Sequence, residues 1–346
     1  MQFGIRLPHS GPLADPETLR TVTRHAEELG YAAVLTHDHV TWTLNDRSHF
    51  YFGGLELADA HPRPTHFYDA FTTMAYLAGQ TTRIGFVSAA ICLAWRHPLM
   101  VARLALTLYH LSGGRFVLGV CPGNVPTDFQ VLGVSWEDRG ALAEEHLEVI
   151  TRAAQAEGSF SYEGRFARFT DAEIAPNAPH LPIWYGGTAP AGLRRAARYC
   201  NGLIVGGPPQ FLTALREKVQ RLREQYGTAD RPFTLATLAM LSIDKNAMRA
   251  EAMAARSVEE RERAAWLKKQ RRQFTERDSA LIGTPAALIE RLQENMKAGV
   301  EFVGLGLVGS SLPDLLERME LFSREVMPAF AGFGAPLATL AGGAGA

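Results

Sequence analysis

Short, almost purely apolar runs alternate with longer amphipathic stretches along most of this chain. The apolar runs fall at Phe3–Leu7, Ala33–His37, Ile84–Cys92, Phe116–Cys121, Ile183–Gly186, Leu203–Val205, Leu235–Ile243 and Phe302–Leu307. They are rich in Val, Ile, Leu and Ala, as expected of strands buried on both faces. Between them, helical spacing predicts helices at Pro16–Leu29, Tyr68–Ala78, Pro98–Leu111, Asp138–Glu157, Ala191–Tyr199, Gln210–Tyr226, Pro285–Ala298 and Pro313–Val326. The punctuation agrees. Asp15 stands where an N-cap accepts free N–H groups, Pro98 where a missing N–H costs nothing, and Gly30 and Ser112-Gly113-Gly114 where helices stop. From Arg83 to Gly123 the chain reads strand, helix, strand, a βαβ unit that implies a parallel sheet. Eight such strands with helices between them predict an α/β fold, a closed (β/α)8 TIM barrel over residues 1–331.

Three insertions interrupt the alternation, after strands 2, 4 and 7. Thr41 to His66 is rich in aromatic residues and follows the second strand, on the face where such barrels carry chemistry. Ser159 to Phe169 alternates around Glu163-Gly164 and predicts a β-hairpin. Lys245 to Asp278 is charged and helical in pattern; its Lys268-Lys269-Gln270-Arg271-Arg272 reads as a solvated helix face, with a phosphate clamp as the other reading. Gly332 to Ala346 is built of small residues and is expected to be a mobile tail.

Composition narrows the function. The 346 residues are 47% hydrophobic, enough for one large core, and the net charge of −1 gives no field to draw nucleic acid or an anionic membrane. The longest apolar run, Gly85 to Trp95, is too short to span a bilayer. Cys92, Cys121 and Cys200 lie far apart in apolar company without metal spacing, so inert buried thiols and a reducing cytoplasm are expected. The chain opens directly on a strand, which predicts no secretory leader.

Several residues at strand ends could carry chemistry. Gly186-Gly187-Thr188-Ala189 leaves a strand and opens a helix at Pro190. Its glycines allow close backbone approach and the helix start offers N–H groups to a phosphate; a bare strand-to-helix turn is the alternative. Gly206-Gly207-Pro208-Pro209 is a similar turn one strand later. His37-Asp38-His39 ends the second strand, where a period of two puts both histidines on one side and Asp38 on the other. That pair could ligate a metal, but no convincing further ligand set accompanies it, so no metal site is assigned. A hydrogen-bonded structural pair is the other plain reading. His9 follows the first strand and could line the barrel mouth, and Trp184 reads as core.

Arg96-His97-Pro98, Leu111-Ser112-Gly113-Gly114-Arg115, Leu118-Gly119-Val120 and Trp184 to Pro190 together resemble the luciferase-like family of flavin- and deazaflavin-dependent oxidoreductases, with the likeness running from about Phe3 to Pro328. The resemblance implies cofactor phosphate on Gly186, Gly187, Thr188 and Ala189, and a flat ring against Ser88 and Ala89, where family members often carry a bulge and a non-prolyl cis peptide. It matches His39 to a histidine over the reactive ring and Asp38 to its acidic neighbour in the branch that uses coenzyme F-420. There, His39 would handle a proton while Asp38 or a backbone group held its tautomer. Asn124 stands where sugar-phosphate dehydrogenases of that branch have an acid, which argues against that activity and leaves Asn124 to bond cofactor or substrate. The expected activity is hydride transfer between F-420 and a small organic substrate. The alternatives are a two-component FMN monooxygenase using reduced flavin and O2, and a flavin-binding barrel without catalysis. A homodimer is the usual assembly of the family.

Overall fold

The computed structural model describes residues 1–41, 66–263, 274–309, 311–331 and 337. Twelve strands occur among them: β1 (Gln2–Arg6), β2 (Ala33–Thr36), β3 (Gly85–Ser88), β4 (Ile91–Cys92), β5 (Phe116–Cys121), β6 (Phe160–Glu163), β7 (Arg168–Ala172), β8 (Ile183–Tyr185), β9 (Gly202–Val205), β10 (Thr234–Ile243), β11 (Leu281–Gly283) and β12 (Phe302–Leu307). Eight form a closed parallel ring in the order β1, β2, β3, β5, β8, β9, β10, β12, with β12 returning to β1 through Gln2↔Phe302 and Phe3↔Val303. Helices fill the intervals, so the chain is a (β/α)8 barrel.

The period of two sorts each strand between two cores. β1 sends Phe3 and Ile5 outward against the helices, and β12 does the same with Val303, Leu305 and Leu307. The inward positions Ala33, Leu35, Val87, Val117, Trp184, Ile204, Ala236 and Phe302 fill the barrel interior. Large rings there require small neighbours. A Cβ on Gly4 would stand 2.6 Å from the Phe302 ring, and one on Gly304 would stand 2.7 Å from Leu238. Trp184 is core, 1% exposed. Leu337 also joins this inner cluster and packs beside Gly85 at the start of β3. The single described residue of the expected mobile tail is thus seated in the barrel.

The helix starts follow the local chemistry. Asp15 accepts from the N–H groups of Glu17 and Thr18, and Asp69 caps the helix Ala70–Ala78 by accepting from Thr72. The predicted hairpin forms as β6 and β7, its turn held by the Glu145 carboxylate, which accepts from the backbone N–H groups of Arg165, Phe166 and Ala167. After β10, the helices Ala247–Arg263 and Glu276–Ser279 precede β11, a strand that the charged pattern hid. Residues 42–65 of the aromatic insertion and Lys268–Arg272 lie outside the described residues, as does the tail apart from Leu337.

Two departures matter for the barrel mouth. The apolar run Ile84–Cys92, expected as one strand, is two: β3 and β4 separated by a cis peptide between Ala89 and Ala90. A short helix, Pro126–Leu132, follows β5 where the apolar pattern predicts none. β3 and β5 are clasped by Ser88, whose hydroxyl donates to the Gly119 carbonyl and accepts from the Gly119 N–H, both at 2.9 Å. The Ser88 carbonyl fills the space of a side chain at Gly119, 1.8 Å from where a Cβ would be. The segments after β1 and β2 are tied together by His9, whose Nε2 lies 2.9 Å from the His37 carbonyl oxygen.

Gly119→Ala must displace backbone, not a flexible side chain, and is expected to cost about 3 kcal/mol, the upper part of the overpacking range; chemical denaturation would measure it, and an unchanged midpoint would refute the clasp. Burial holds His9 at a pKa of about 4, below its ordinary 6.5. The unfolded chain therefore binds a proton between these values that the native chain does not. Stability from His9 is complete above pH 6.5 and lost as pH falls toward 4, by about 3 kcal/mol. Denaturation at pH 7 and pH 4 should show a smaller loss for His9→Gln than for the wild type.

Candidate active site

The carboxyl ends of β2, β3, β5 and β8 bring most of the expected residues to one mouth of the barrel. β2 runs on into His37-Asp38-His39, and the alternation persists. The rings of His37 and His39 lie 5.6 Å apart and both pack edge-on against Phe67, at 5.3 and 5.6 Å. Asp38 turns the other way. Its side chain is fully buried, with Oδ2 accepting from Arg96 Nη1 at 2.6 Å and Oδ1 from Nη2 at 2.9 Å. Oδ2 also accepts from the backbone N–H of Cys92 at 3.1 Å, and Arg96 reaches on to Asp69 at 3.3 Å.

The carboxylate that meets His39 is therefore not Asp38. It is Asp128, in the first turn of Pro126–Leu132, with Oδ2 at 3.0 Å from His39 Nδ1. Both side chains are nearly buried, 8% and 2% exposed, so little water competes for the bond. Sequence reasoning missed Asp128 because it lies 89 residues from His39 on a helix the apolar pattern does not announce. The available signal was Pro126 at a helix start with an acidic residue in the turn after it. A carboxylate on Nδ1 orients the ring, and Nε2 is the ring's second position for proton exchange. Trp95 stands beside the same ring at 5.9 Å.

The other two histidines are held neutral. Burial lowers His37 well below the ordinary range, with His9 adding to the effect, and burial is also the main cause at His9. The rings of His9 and His37 are 4.2 Å apart, and His9 supports the backbone from which His39 projects. Among the described residues, no group of three or more His, Cys, Asp or Glu side chains is arranged to hold a metal.

Of the residues expected to meet a ring, Ser88 is fully buried and commits its hydroxyl to Gly119. Ala89 and Ala90 are half-buried. Gly186, at the end of β8, lies against Ala90 and Cys121: a Cβ there would be 3.6 and 3.5 Å from theirs. Ala90, Cys121 and Gly186 thus make one bed of small side chains. Gly187 is half-buried, and Thr188 and Ala189 are exposed ahead of the helix Pro190–Tyr199, whose N-cap Ala189 supplies no side-chain acceptor. A phosphate fits that start, since the first-turn N–H groups have no capping side chain. Asn124 is exposed on the turn after β5. By contrast, Arg115 of the Ser112–Arg115 motif works at the opposite end of the barrel, donating to the carbonyls of Ala78, Thr81, Ile84 and Ser112.

Known proteins share both sequence and fold. The family model for luciferase-like monooxygenases matches residues 1–301. The 5,10-methylenetetrahydromethanopterin reductase of Methanolobus tindarius is 28% identical over 256 residues, 73% of this chain and 69% of the reductase. The crystal structure of monooxygenase RslO1 from Streptomyces bottropensis superposes with a TM-score of 0.78 at 23% identity, covering 96% of this chain and 100% of that one. The coenzyme F420-dependent tetrahydromethanopterin reductase from Methanopyrus kandleri gives 0.71 at 22% identity, covering 95% and 99%. No helix among the described residues is long and apolar enough to cross a membrane. With a matching family model, a closed parallel barrel and small residues gathered at its mouth, this chain belongs to the luciferase-like family of oxidoreductases.

Proposed function

We propose that this chain transfers a hydride between coenzyme F-420 and a small organic substrate, with His39 as the acid–base group. The observation that carries the reading is the nearly buried His39–Asp128 pair, with His39 just past the end of β2 and Asp128 on the helix after β5, at the mouth that also carries Ala90, Cys121 and Gly186. The Asp-His order at residues 38 and 39 and the F420-dependent reductase among the structural relatives support the deazaflavin.

The deazaflavin, when bound, supplies the carbon that carries the hydride. This chain's residues do the rest. Gly186 to Ala189 and the first turn of Pro190–Tyr199 hold phosphate through backbone N–H groups, with the Thr188 hydroxyl as a further donor. Ala89, Ala90, Cys121 and Gly186 leave room for a flat ring. His39 Nε2 takes or gives the proton that accompanies the hydride, while Asp128 fixes the tautomer and balances the charge of the protonated ring. Asp38 acts one step removed, by locking the strand end to Arg96. The enzyme is expected to work as a homodimer in the cytoplasm.

A second reading, a two-component FMN monooxygenase using O2, is supported by the likeness to monooxygenase RslO1. It uses the same bed and phosphate loop. Fluorescence titration of the cofactor-free protein with F-420 and FMN separates the two: tight F-420 and weak FMN binding is expected, and the reverse preference would transfer the assignment to the monooxygenase.

His39→Ala and Asp128→Asn are expected to lower kcat by about 10²-fold or more, within the range of general acid–base catalysis, while F-420 binding changes little. Asp128→Asn should also displace the pH profile, and a profile that does not move would remove Asp128 from the proton step. Asp38→Asn leaves Arg96 without its buried partner. It should cost about 3 kcal/mol of stability, the low end for a broken buried pair because Arg96 keeps Asp69. Denaturation midpoints would measure that loss.

A further inference from the structure

Two of the three cysteines meet at the barrel mouth. β4 pairs with β5 in parallel register, Ile91 beside Val120 and Cys92 beside Cys121. Neighbouring strands of a ladder are ~4.8 Å apart and side chains at paired positions leave on the same face. That spacing lies inside the ~4.4–6.8 Å range of Cα separations that a disulfide bridges. Both cysteines belong to one cluster with Phe129 and Trp95, and the Cys121 Sγ lies 3.9 Å from the Ala90 carbonyl oxygen.

We propose that Cys92 and Cys121 form a thiol pair that closes to a disulfide when a peroxide reaches the barrel mouth. The two sulfurs are not equivalent. Cys121 is half-buried, lies beside Ala90 and Gly186, and is the one a small oxidant can reach. Cys92 is 1% exposed, so it is shielded from the oxidant and is the resolving partner. In the first step the Cys121 sulfur attacks one peroxide oxygen. An S–O bond forms, the O–O bond breaks, and the thiol proton leaves with the other oxygen as water. In the second step the Cys92 sulfur displaces the hydroxyl from Cys121, its proton leaving with it as a second water. Two thiols are oxidised by two electrons and one peroxide is reduced to two waters. Cys200 follows the helix Pro190–Tyr199 and packs against the outer core, so it serves as an internal control.

The inference does not depend on which cofactor the barrel takes. It is tested on the full folded chain with hydrogen peroxide, followed by thiol titration in denaturant and peptide mapping. The thiol count is expected to fall from three to one, with a single crosslinked peptide pair holding Cys92 and Cys121, and to return to three on reduction. Cys92→Ser is expected to leave Cys121 as a sulfenic or sulfinic acid with no crosslink. A wild-type count that stays at three, a loss confined to Cys121 without a crosslink, or a link that joins two chains would overturn the proposal.

Discussion

The buried carboxylate of Asp38 is the constraint around which the barrel mouth is arranged. An ionised group with no exposure is tolerated only when its charge and lone pairs are met inside the protein. Arg96 meets it with two hydrogen bonds and the Cys92 N–H with a third. One side chain thereby ties the end of β2 to β4 and, through Arg96 and Asp69, to the cap of the helix Ala70–Ala78. Because strand alternation sends Asp38 away from the mouth, it also turns His37 and His39 toward Phe67 and the neighbouring β5 side.

His39 then depends on a second carboxylate from another part of the chain. Asp128 arrives because Gly123 lets the backbone turn sharply after β5, with φ at +91°, and because Phe129 packs into the cluster of Cys92 and Trp95. A Cβ on Gly123 would stand 2.6 Å from the Phe129 ring. The packing of Phe129 and the placement of Asp128 are thus one event: adjacent residues on one helical turn, the apolar one anchored and the acidic one delivered to the histidine. The charge is directed by packing.

Small residues govern the rest of the mouth. Gly119 admits the Ser88 carbonyl, and the clasp that results holds β3 against β5 where the chain departs from regular strand at Ala89 and Ala90. Beyond that break β4 resumes the ladder, which returns Cys92 to register with Cys121. The bed of small residues and the pairing of Cys92 with Cys121 therefore share one cause, an interrupted strand between two that continue.

The local order of this protein was legible in its sequence. Buried strands announce themselves as apolar runs, Asp15 and Pro98 mark helix starts, Gly30 and Gly113-Gly114 mark ends, and a period of two separates Asp38 from its flanking histidines. These features depend on near neighbours along the chain. The glycine turn at Gly186-Gly187 and its opening onto a helix were visible for the same reason. What the sequence did not disclose rests on contacts between distant segments: Asp128 on His39, Arg96 on Asp38, Ser88 on Gly119, Cys92 beside Cys121, and Leu337 inside the barrel. No periodicity records which strand end will face which helix turn, since that is settled when eight strands close and side chains compete for one interior. Sequence by itself determined a parallel barrel with histidines and a glycine turn at one end. Tertiary structure decided which carboxylate serves the histidine, because a buried charge goes to the partner that packing brings within reach.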